Sequence, residues 1–192
     1  HWLLGGVFVR EIRMLSRGGQ GAVTAAKVLV SAAIMEGKYG QAVPSFGQER
    51  KGAPVYAFAR LDDEPVSMHT YVYDPHAVVL FDLFLLKLGV DPCAGLREDA
   101  ILVANTHLGP RELGFAASFA TVACIDAWRV TNEVIGAVPP NAAMLGALSR
   151  ASGWVAVDSL CDALNEFMPG EKGKKNAACA RAAYERTVVY VP

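Results

Sequence analysis

The chain has 192 residues, enough for one domain with a substantial hydrophobic core. Its formal net charge of −1, without a basic stripe that alternates with aromatic residues, gives no electrostatic case for nucleic-acid binding. Only 19% of the residues are charged while 53% are apolar, so we expect other subunits to cover part of the surface.

Two further classes of protein are disfavoured by the residue pattern. No uncharged stretch reaches the ~20 apolar residues that a membrane-spanning helix needs, so we predict no membrane span. The four cysteines lie far apart without a Cys-x-x-Cys pair, which argues against a zinc or iron–sulfur site in this chain. Scattered free thiols suit a reducing compartment, and we predict a cytoplasmic protein. We interpret the apolar start, residues 1–8, as the remnant of a longer start or a partner-contacting arm.

The first recognisable unit is a strand, a glycine turn and a helix in succession. Apolar and polar residues alternate from Val9 to Leu15, which predicts a strand. From Ala22 apolar residues recur every three or four positions until Gly37, which predicts a helix with one buried stripe. Between them lies a turn whose glycines permit a close approach to an anion: Arg17, Gly18, Gly19, Gln20 and Gly21.

The glycine turn has two interpretations that spacing alone does not separate. A helix N-terminus carries unsatisfied N–H groups and about half a positive charge, so the turn can hold a phosphate. Alternatively, the glycines only let the helix pack tightly on the strand. Ser16 stands where the dinucleotide fingerprint has its first glycine, and the Gly-Lys-Ser/Thr of a triphosphate-binding loop is missing. A single phosphate or a pyrophosphate therefore remains the candidate ligand.

A hairpin with a long polar loop is predicted next. Strands are predicted at 41–43 and 55–60, and the weak alternation of 68–73 could extend the hairpin. The loop between the two strands runs from Pro44 to Pro54 and has a polar centre that consists of Gln48, Glu49, Arg50 and Lys51. This loop is a second candidate binding segment.

Three continuous apolar runs predict the centre of the sheet. Residues 77–81, 101–105 and 120–124 are typical of strands that are covered on both faces in a parallel sheet. Residues 91–99 are predicted to form a short helical connection. Asn105 ends a central strand at the edge where open α/β sheets present ligand contacts, so it is also a candidate site residue.

The last third of the chain is predicted to be helical. The predicted helices cover 126–135, a segment capped by the Asn141 side chain, a segment capped by Asp158 and Ser159, and 176–186. Strands alternating with helices favour an α/β fold: a Rossmann-like, mostly parallel sheet with flanking helices and a helical C-terminal region, in one domain over 1–192.

Other reactive side chains form no recognisable motif. His69, His76 and His107 lack metal-ligand spacing, and we interpret each as a surface or core histidine. No nucleophile elbow is present. We therefore predict no catalytic residue and no metal ligand in this chain.

The two glycine-bearing loops, taken together, resemble the gamma subunit of 2-oxoacid:ferredoxin oxidoreductases of the pyruvate type. The resemblance covers nearly the whole chain, and Ser16 departs from it because the family usually has glycine there. The residues that carry it are Arg17–Gly21, Thr24–Lys27, Phe46–Pro54, Asn141–Ala147, Lys175–Asn176 and Ala183–Glu185.

The resemblance implies that the chain works inside a larger complex. Alpha, beta and delta subunits would bind thiamine diphosphate, magnesium and [4Fe-4S] clusters. The complex would decarboxylate pyruvate, reduce ferredoxin and transfer the acetyl group to coenzyme A, or run in reverse as a pyruvate synthase. Related gamma subunits that serve 2-oxoisovalerate, 2-oxoglutarate or indolepyruvate enzymes are the nearest alternative. A stand-alone coenzyme A- or nucleotide-binding module and a purely structural subunit are the others.

The same resemblance implies that this domain contributes to coenzyme A binding and that the polar loop faces the shared active-site region. Arginine and lysine beside backbone N–H donors suit the phosphates of coenzyme A. An exposed loop that pairs Arg50 with Glu49 or with a neighbouring subunit is the alternative. The predicted coenzyme A-binding residues are Arg17, Gly18, Gly19, Gln20, Gly21, Gln48, Arg50, Lys51 and Asn105.

Overall fold

A computed structural model describes residues 9–45, 52–66 and 71–192. Within these ranges the strands are β1 Val9–Arg17, β2 Tyr39–Ser45, β3 Pro54–Asp62, β4 Ala77–Leu80, β5 Ile101–Asn105, β6 Thr121–Ile125 and β7 Val188–Tyr190. The helices are α1 Ala22–Met35, α2 Phe84–Lys87, α3 Ala127–Val134, α4 Asn141–Ser152, α5 Val157–Phe167 and α6 Glu171–Arg186. Two 3₁₀ helices, Pro110–Glu112 and Gly114–Ser118, precede β6.

The strands form one sheet in the order β2-β3-β1-β4-β5-β6-β7. Four central strands, β1, β4, β5 and β6, run parallel, whereas β3 pairs antiparallel with β1 and with β2, and β7 pairs antiparallel with β6. Every residue of β4 and of β5 is buried, as expected for central strands covered on both faces. The predicted α/β sheet with flanking helices and a helical C-terminal region is confirmed.

The two faces of the sheet are covered differently. One face is covered by α1 and α4, on which α5 and α6 pack, through a large cluster that includes Ile12, Met14 and Met144. The other face is covered by α2 and the 3₁₀ segments, through a smaller cluster that includes Leu15 and Phe119. Strand β1 contributes side chains to both clusters, and the turn that follows it lies at the edge of the sheet between the two layers.

The crossing of α4 and α6 depends on a glycine. A Cβ added at Gly146 would overlap the backbone carbonyl of Ala180. The helices therefore approach closely because Gly146 has no side chain.

The predicted helix across 91–99 is wrong, because these residues form turns. Gly95 has a φ of 68°, in the left-handed region, and a Cβ there would overlap the backbone carbonyl of Tyr73. A helix does not pass through that conformation. Residues 71–73 of the suggested hairpin extension are not in a strand, and 68–70 lie outside the described residues.

Some helix starts also differ from the predictions. The N-cap of α4 is Pro140, and Asn141 is the first helical residue, whose side-chain oxygen accepts from the adjacent Ala142 N–H at 3.0 Å. The N-cap of α5 is Ala156, one residue before Val157, rather than Asp158 or Ser159. Helix α6 begins at Glu171, five residues before the predicted start. Local capping signals were overridden here by the packing of the helices on one another.

Candidate functional site

The glycine turn lies directly after β1, at the carboxyl end of the parallel strands. Gly19 and Gly21 have φ values of 86° and 83°, a conformation that residues with side chains rarely adopt. The Gly18 N–H donates to the carbonyl of Ala53 at 3.0 Å, so the turn contacts the segment that leads into β3. The structure thus brings the first glycine turn together with the end of the second loop. Gln48, Arg50 and Lys51 lie outside the described residues, and their proposed roles remain predictions.

Gln20 holds the turn in shape. Its side-chain oxygen accepts from the Arg17 backbone N–H at 2.7 Å, and its side-chain nitrogen donates to Asp82 Oδ2 at 2.8 Å. The side chain is buried. Both of its polar atoms are therefore engaged within the protein, and Gln20 acts here by positioning its neighbours.

The Arg17 guanidinium lies beside the turn, where it is bonded to a carboxylate and remains partly exposed. Its Nε donates to Asp82 Oδ2 at 2.8 Å, and about one-third of its side chain is exposed (33%). The guanidinium carbon lies 4.9 Å from the centre of the Phe84 ring, within cation–π range. Arginine in such a setting is suited to binding phosphate.

Asp82 remains an ionised anchor for this cluster. Burial on its own would raise the pKa of Asp82, but hydrogen bonds from the Phe84 N–H, Gln20 and Arg17 outweigh burial and lower the pKa. The Phe84 N–H donates to Oδ1 at 2.9 Å, which leaves Oδ2 for the two side-chain donors. The carboxylate therefore connects the turn to the start of α2.

The N-terminus of α1 lies at the end of the turn. The helix has no side-chain cap hydrogen bond, and its first turn contains no acidic residue. A Cβ at Gly19 would meet no atom of the described residues within 4 Å, whereas one at Gly21 would lie 2.6 Å from Asn141 Nδ2. Gly19 is therefore not packed against the described part of the chain, and Gly21 is packed against α4.

Gly19 also lines a groove of about 500 Å³, which falls in the range of small-molecule sites. The opposite wall includes Trp128 and Asn132 of α3, followed by residues 136–139. The Trp128 side chain is half-exposed.

Sequence reasoning missed Trp128, Asp82 and Phe84. Asp82 could have been found, because it follows a buried strand at the edge where such sheets bind ligands.

Asn105 lies at the predicted edge of the sheet, but both polar atoms of its side chain are hydrogen-bonded to the protein backbone. Its Nδ2 donates to the carbonyl of Phe81 at 3.0 Å, and its Oδ1 accepts from the Ala127 N–H at 2.9 Å. The residue is buried. It joins the ends of β4 and β5 to the start of α3, and a ligand contact by Asn105 remains a prediction.

The cysteines and His76 are not gathered into a reactive cluster. Cys124, Cys161 and Cys179 are buried and Cys93 is half-buried; burial raises the pKa of each thiol, that of Cys124 to about 11. His76 Nδ1 accepts from the Glu11 N–H at 3.1 Å, as a core histidine does.

The described ranges contain neither a candidate metal site nor a candidate membrane span. Residues 9–45, 52–66 and 71–192 contain no group of three His, Cys, Asp or Glu side chains placed to hold a metal ion. None of their helices has the length and apolar character to cross a bilayer.

Comparisons with known proteins identify the relatives of this chain. Residues 11–186 match the family model for pyruvate ferredoxin/flavodoxin oxidoreductase. The common gamma subunit of the pyruvate/ketoisovalerate oxidoreductases from Thermococcus litoralis is 46% identical over 182 residues, which cover 94% of this chain and 98% of the relative. The PorC subunit of pyruvate synthase from Methanothermobacter marburgensis is 46% identical over 176 residues, covering 92% and 96%.

A solved structure supports the same relationship. The crystal structure of the pyruvate oxidoreductase subunit PORC from Thermotoga maritima has a TM-score of 0.81 and 32% sequence identity, and the match covers 94% of this chain and 98% of that one. The resemblance that was inferred from the two glycine loops is confirmed. This chain belongs to the pyruvate ferredoxin/flavodoxin oxidoreductase family.

Proposed function

We propose that this chain is the gamma subunit of a multi-subunit pyruvate:ferredoxin oxidoreductase and is active only within the complex. The complex converts pyruvate, coenzyme A and oxidised ferredoxin to acetyl-CoA, CO₂ and reduced ferredoxin, or runs in reverse. The relatives support this assignment, since two with 46% identity are named as subunits of such enzymes and are matched over nearly their full length. Thiamine diphosphate, magnesium and [4Fe-4S] clusters are assigned to the alpha, beta and delta subunits.

The part proposed for this chain is to bind coenzyme A and to support assembly. The observation that carries it is the open turn at Gly19, which adjoins a groove, an uncapped helix N-terminus and the Arg17 guanidinium. Coenzyme A has several phosphate charges, and N–H donors beside an arginine are suited to them. Arg50 and Lys51 are proposed to add positive charge from the polar loop before β3.

A second substrate is supported by one of the relatives. The Thermococcus litoralis subunit is named as common to pyruvate and ketoisovalerate enzymes. We therefore propose that this gamma chain can also serve a 2-oxoisovalerate enzyme. Assays of the purified complex with pyruvate, 2-oxoisovalerate, 2-oxoglutarate and indolepyruvate, with and without coenzyme A, would define the substrate range.

Native purification tests the assembly. The chain should elute with larger partners, together with iron and thiamine diphosphate. Elution alone near 20.5 kDa, with neither cofactor, would contradict the oxidoreductase assignment and favour a free-standing binding module.

Kinetics of the assembled enzyme test the coenzyme A site. Replacing Arg17 by Ala should raise the KM for coenzyme A roughly tenfold or more, because a charge-assisted contact is lost, and should leave the KM for pyruvate unchanged. Arg181→Ala is the matched control, since Arg181 also pairs with an aspartate, Asp158, but lies on α6. Arg50→Ala combined with Lys51→Ala tests the loop. An unchanged KM with loss of subunits would assign that loop to an interface instead.

A further inference from the structure

Asp82 accepts hydrogen bonds from three donors, two in the glycine turn and one at the start of α2. Its Oδ2 accepts from Arg17 Nε and from Gln20 Nε2, each at 2.8 Å, and its Oδ1 accepts from the Phe84 N–H at 2.9 Å. A carboxylate with this many charge-assisted or backbone donors is fixed in orientation. Asp82 cannot rotate away without losing several hydrogen bonds at once.

Asp82 binds only the Nε side of the Arg17 guanidinium. The Nε atom is occupied, whereas the two terminal nitrogens of Arg17 make no hydrogen bond to another described residue. A guanidinium has two edges that can each bind two oxygens. Asp82 takes the Nε position, and no described residue engages the edge formed by the two terminal nitrogens, which has the geometry to bind two oxygens of one phosphate.

The Arg17 guanidinium is flanked by Phe84 and by Gly52. The Phe84 ring lies 4.9 Å from the guanidinium carbon, and Lys87 Nζ approaches the same ring at 6.0 Å. On another side, a Cβ at Gly52 would lie 4.0 Å from an Arg17 terminal nitrogen. A larger side chain at position 52 would therefore crowd the available edge.

We propose that Asp82 and Phe84 are positioning residues that aim the free edge of the Arg17 guanidinium at a phosphate group of coenzyme A. This inference rests on the proposed function and extends it to residues that do not themselves touch the ligand. Asp82 fixes the direction of the guanidinium, Phe84 fixes its plane, and Gln20 fixes the backbone from which it projects. The binding of the phosphate then requires little loss of side-chain freedom.

A double-mutant cycle in the assembled complex tests this proposal. Asp82→Asn should raise the KM for coenzyme A about tenfold in the wild-type background, with kcat and the KM for pyruvate unchanged. In the Arg17→Ala background the same replacement should have no further effect, because its action passes through Arg17. Phe84→Leu, at a half-exposed position, should give a smaller rise and the same lack of effect without Arg17.

A phosphate-free thiol and a distant ion pair provide the controls. The KM for pantetheine, the part of coenzyme A without phosphates, should be the same in wild type, Asp82→Asn and Phe84→Leu. Asp158→Asn removes the carboxylate of another arginine–aspartate pair and should leave the KM for coenzyme A unchanged.

Several results would overturn the positioning role. One is an equal effect of Asp82→Asn with and without Arg17, and another is an equal effect on pantetheine. A fall in the coenzyme A KM would show that the negative charge of Asp82 opposes the phosphate more than its geometry helps. If Arg17→Ala leaves the coenzyme A KM unchanged, the proposed coenzyme A site at the turn fails together with the positioning role. If Arg17→Ala raises that KM but Asp82→Asn does not act through Arg17, only the positioning role fails.

Discussion

The glycine turn after β1 and the crossing of α4 with α6 both depend on glycine, but for opposite reasons. At Gly146 a side chain has no room, because its Cβ would overlap the Ala180 carbonyl. At Gly19 the added Cβ would meet none of the residues that the structure describes within 4 Å, yet the backbone φ of 86° disfavours any side chain. Gly146 is needed for packing, whereas Gly19 shapes a surface that is open to solvent.

Gly21 shows that one motif contains both kinds of glycine. It shares the left-handed conformation of Gly19, but a Cβ there would lie 2.6 Å from the Asn141 side chain. The packing interpretation of the motif therefore explains Gly21, while it does not explain Gly19. Open surroundings alone do not mark a binding position, because Gly37 shares them, so the candidate role of Gly19 rests on the groove and the Arg17 guanidinium beside it.

The largest effect is expected at the helix crossing. Gly146→Ala should lower the free energy of unfolding by about 3 kcal/mol, because backbone atoms on α6 must move. The melting temperature should fall by roughly 6–12 °C, measured by thermal unfolding. Gly114→Ala is the control, since its Cβ would meet open space and its φ is not positive; it should change stability by less than about 0.5 kcal/mol. Equal effects of the two replacements would remove the steric argument.

A smaller loss of stability is expected at Gly21. Gly21→Ala combines left-handed strain with a contact to Asn141 and should cost about 2 kcal/mol in denaturant unfolding. Adding Asn141→Ala should recover part of that loss, because the amide group nearest to the new Cβ is removed. If the double variant loses the sum of the two single effects, Gly21 and Asn141 do not interact as the structure indicates.

Much of the fold was predictable because hydrophobic periodicity reports burial. The buried runs at β4, β5 and β6 and the amphipathic repeat of α1 are local signals, and each element lies within a few residues of its predicted place. The segment 91–99 was not predictable, because the contact of Gly95 with the Tyr73 carbonyl joins residues 22 positions apart. No local pattern encodes such a contact.

Part of the candidate site was also predictable, because it too is encoded by a local pattern. The glycine turn is contiguous, so its position was clear from the sequence. Asp82, Phe84 and Trp128 come from other segments and reach the site only when β1, β4 and α3 assemble side by side. Asn105 had the right position on the sheet, yet its side-chain hydrogen bonds to Phe81 and Ala127 could not be read from the sequence.

A still smaller stability change, with a separate effect on function, is expected at Gly19. Gly19→Ala should cost about 1 kcal/mol through the left-handed φ alone. Gly37→Ala is a matched control, because Gly37 has a φ of 81° and equally open surroundings at the far end of α1. Both variants should lose similar stability, but only Gly19→Ala should raise the coenzyme A KM of the complex. A wild-type KM for Gly19→Ala, and for the bulkier Gly19→Val, would contradict a ligand role of the turn.

An effect of similar size to that at Gly19, but dependent on pH, is expected at Asp82. The pKa of Asp82 is lowered in the folded protein, so its contribution is present at pH values above the unfolded carboxyl pKa of about 4 and is lost as the pH falls through the folded value. The stability difference between wild type and Asp82→Asn should be about 1 kcal/mol at pH 7, and it should shrink as the pH falls below about 4. Urea unfolding at pH 7, 5, 4 and 3 measures it.

Gly146→Ala completes the comparison, because its contact with the Ala180 carbonyl contains no titratable group. Its difference from wild type should stay constant over the same pH range, while that of Asp82→Asn declines. A decline of both differences would indicate a general acid destabilisation of the fold. A constant Asp82→Asn difference down to pH 3 would mean that the carboxylate does not stabilise the turn by its charge, and that the hydrogen bonds around it are kept by a neutral group of the same shape.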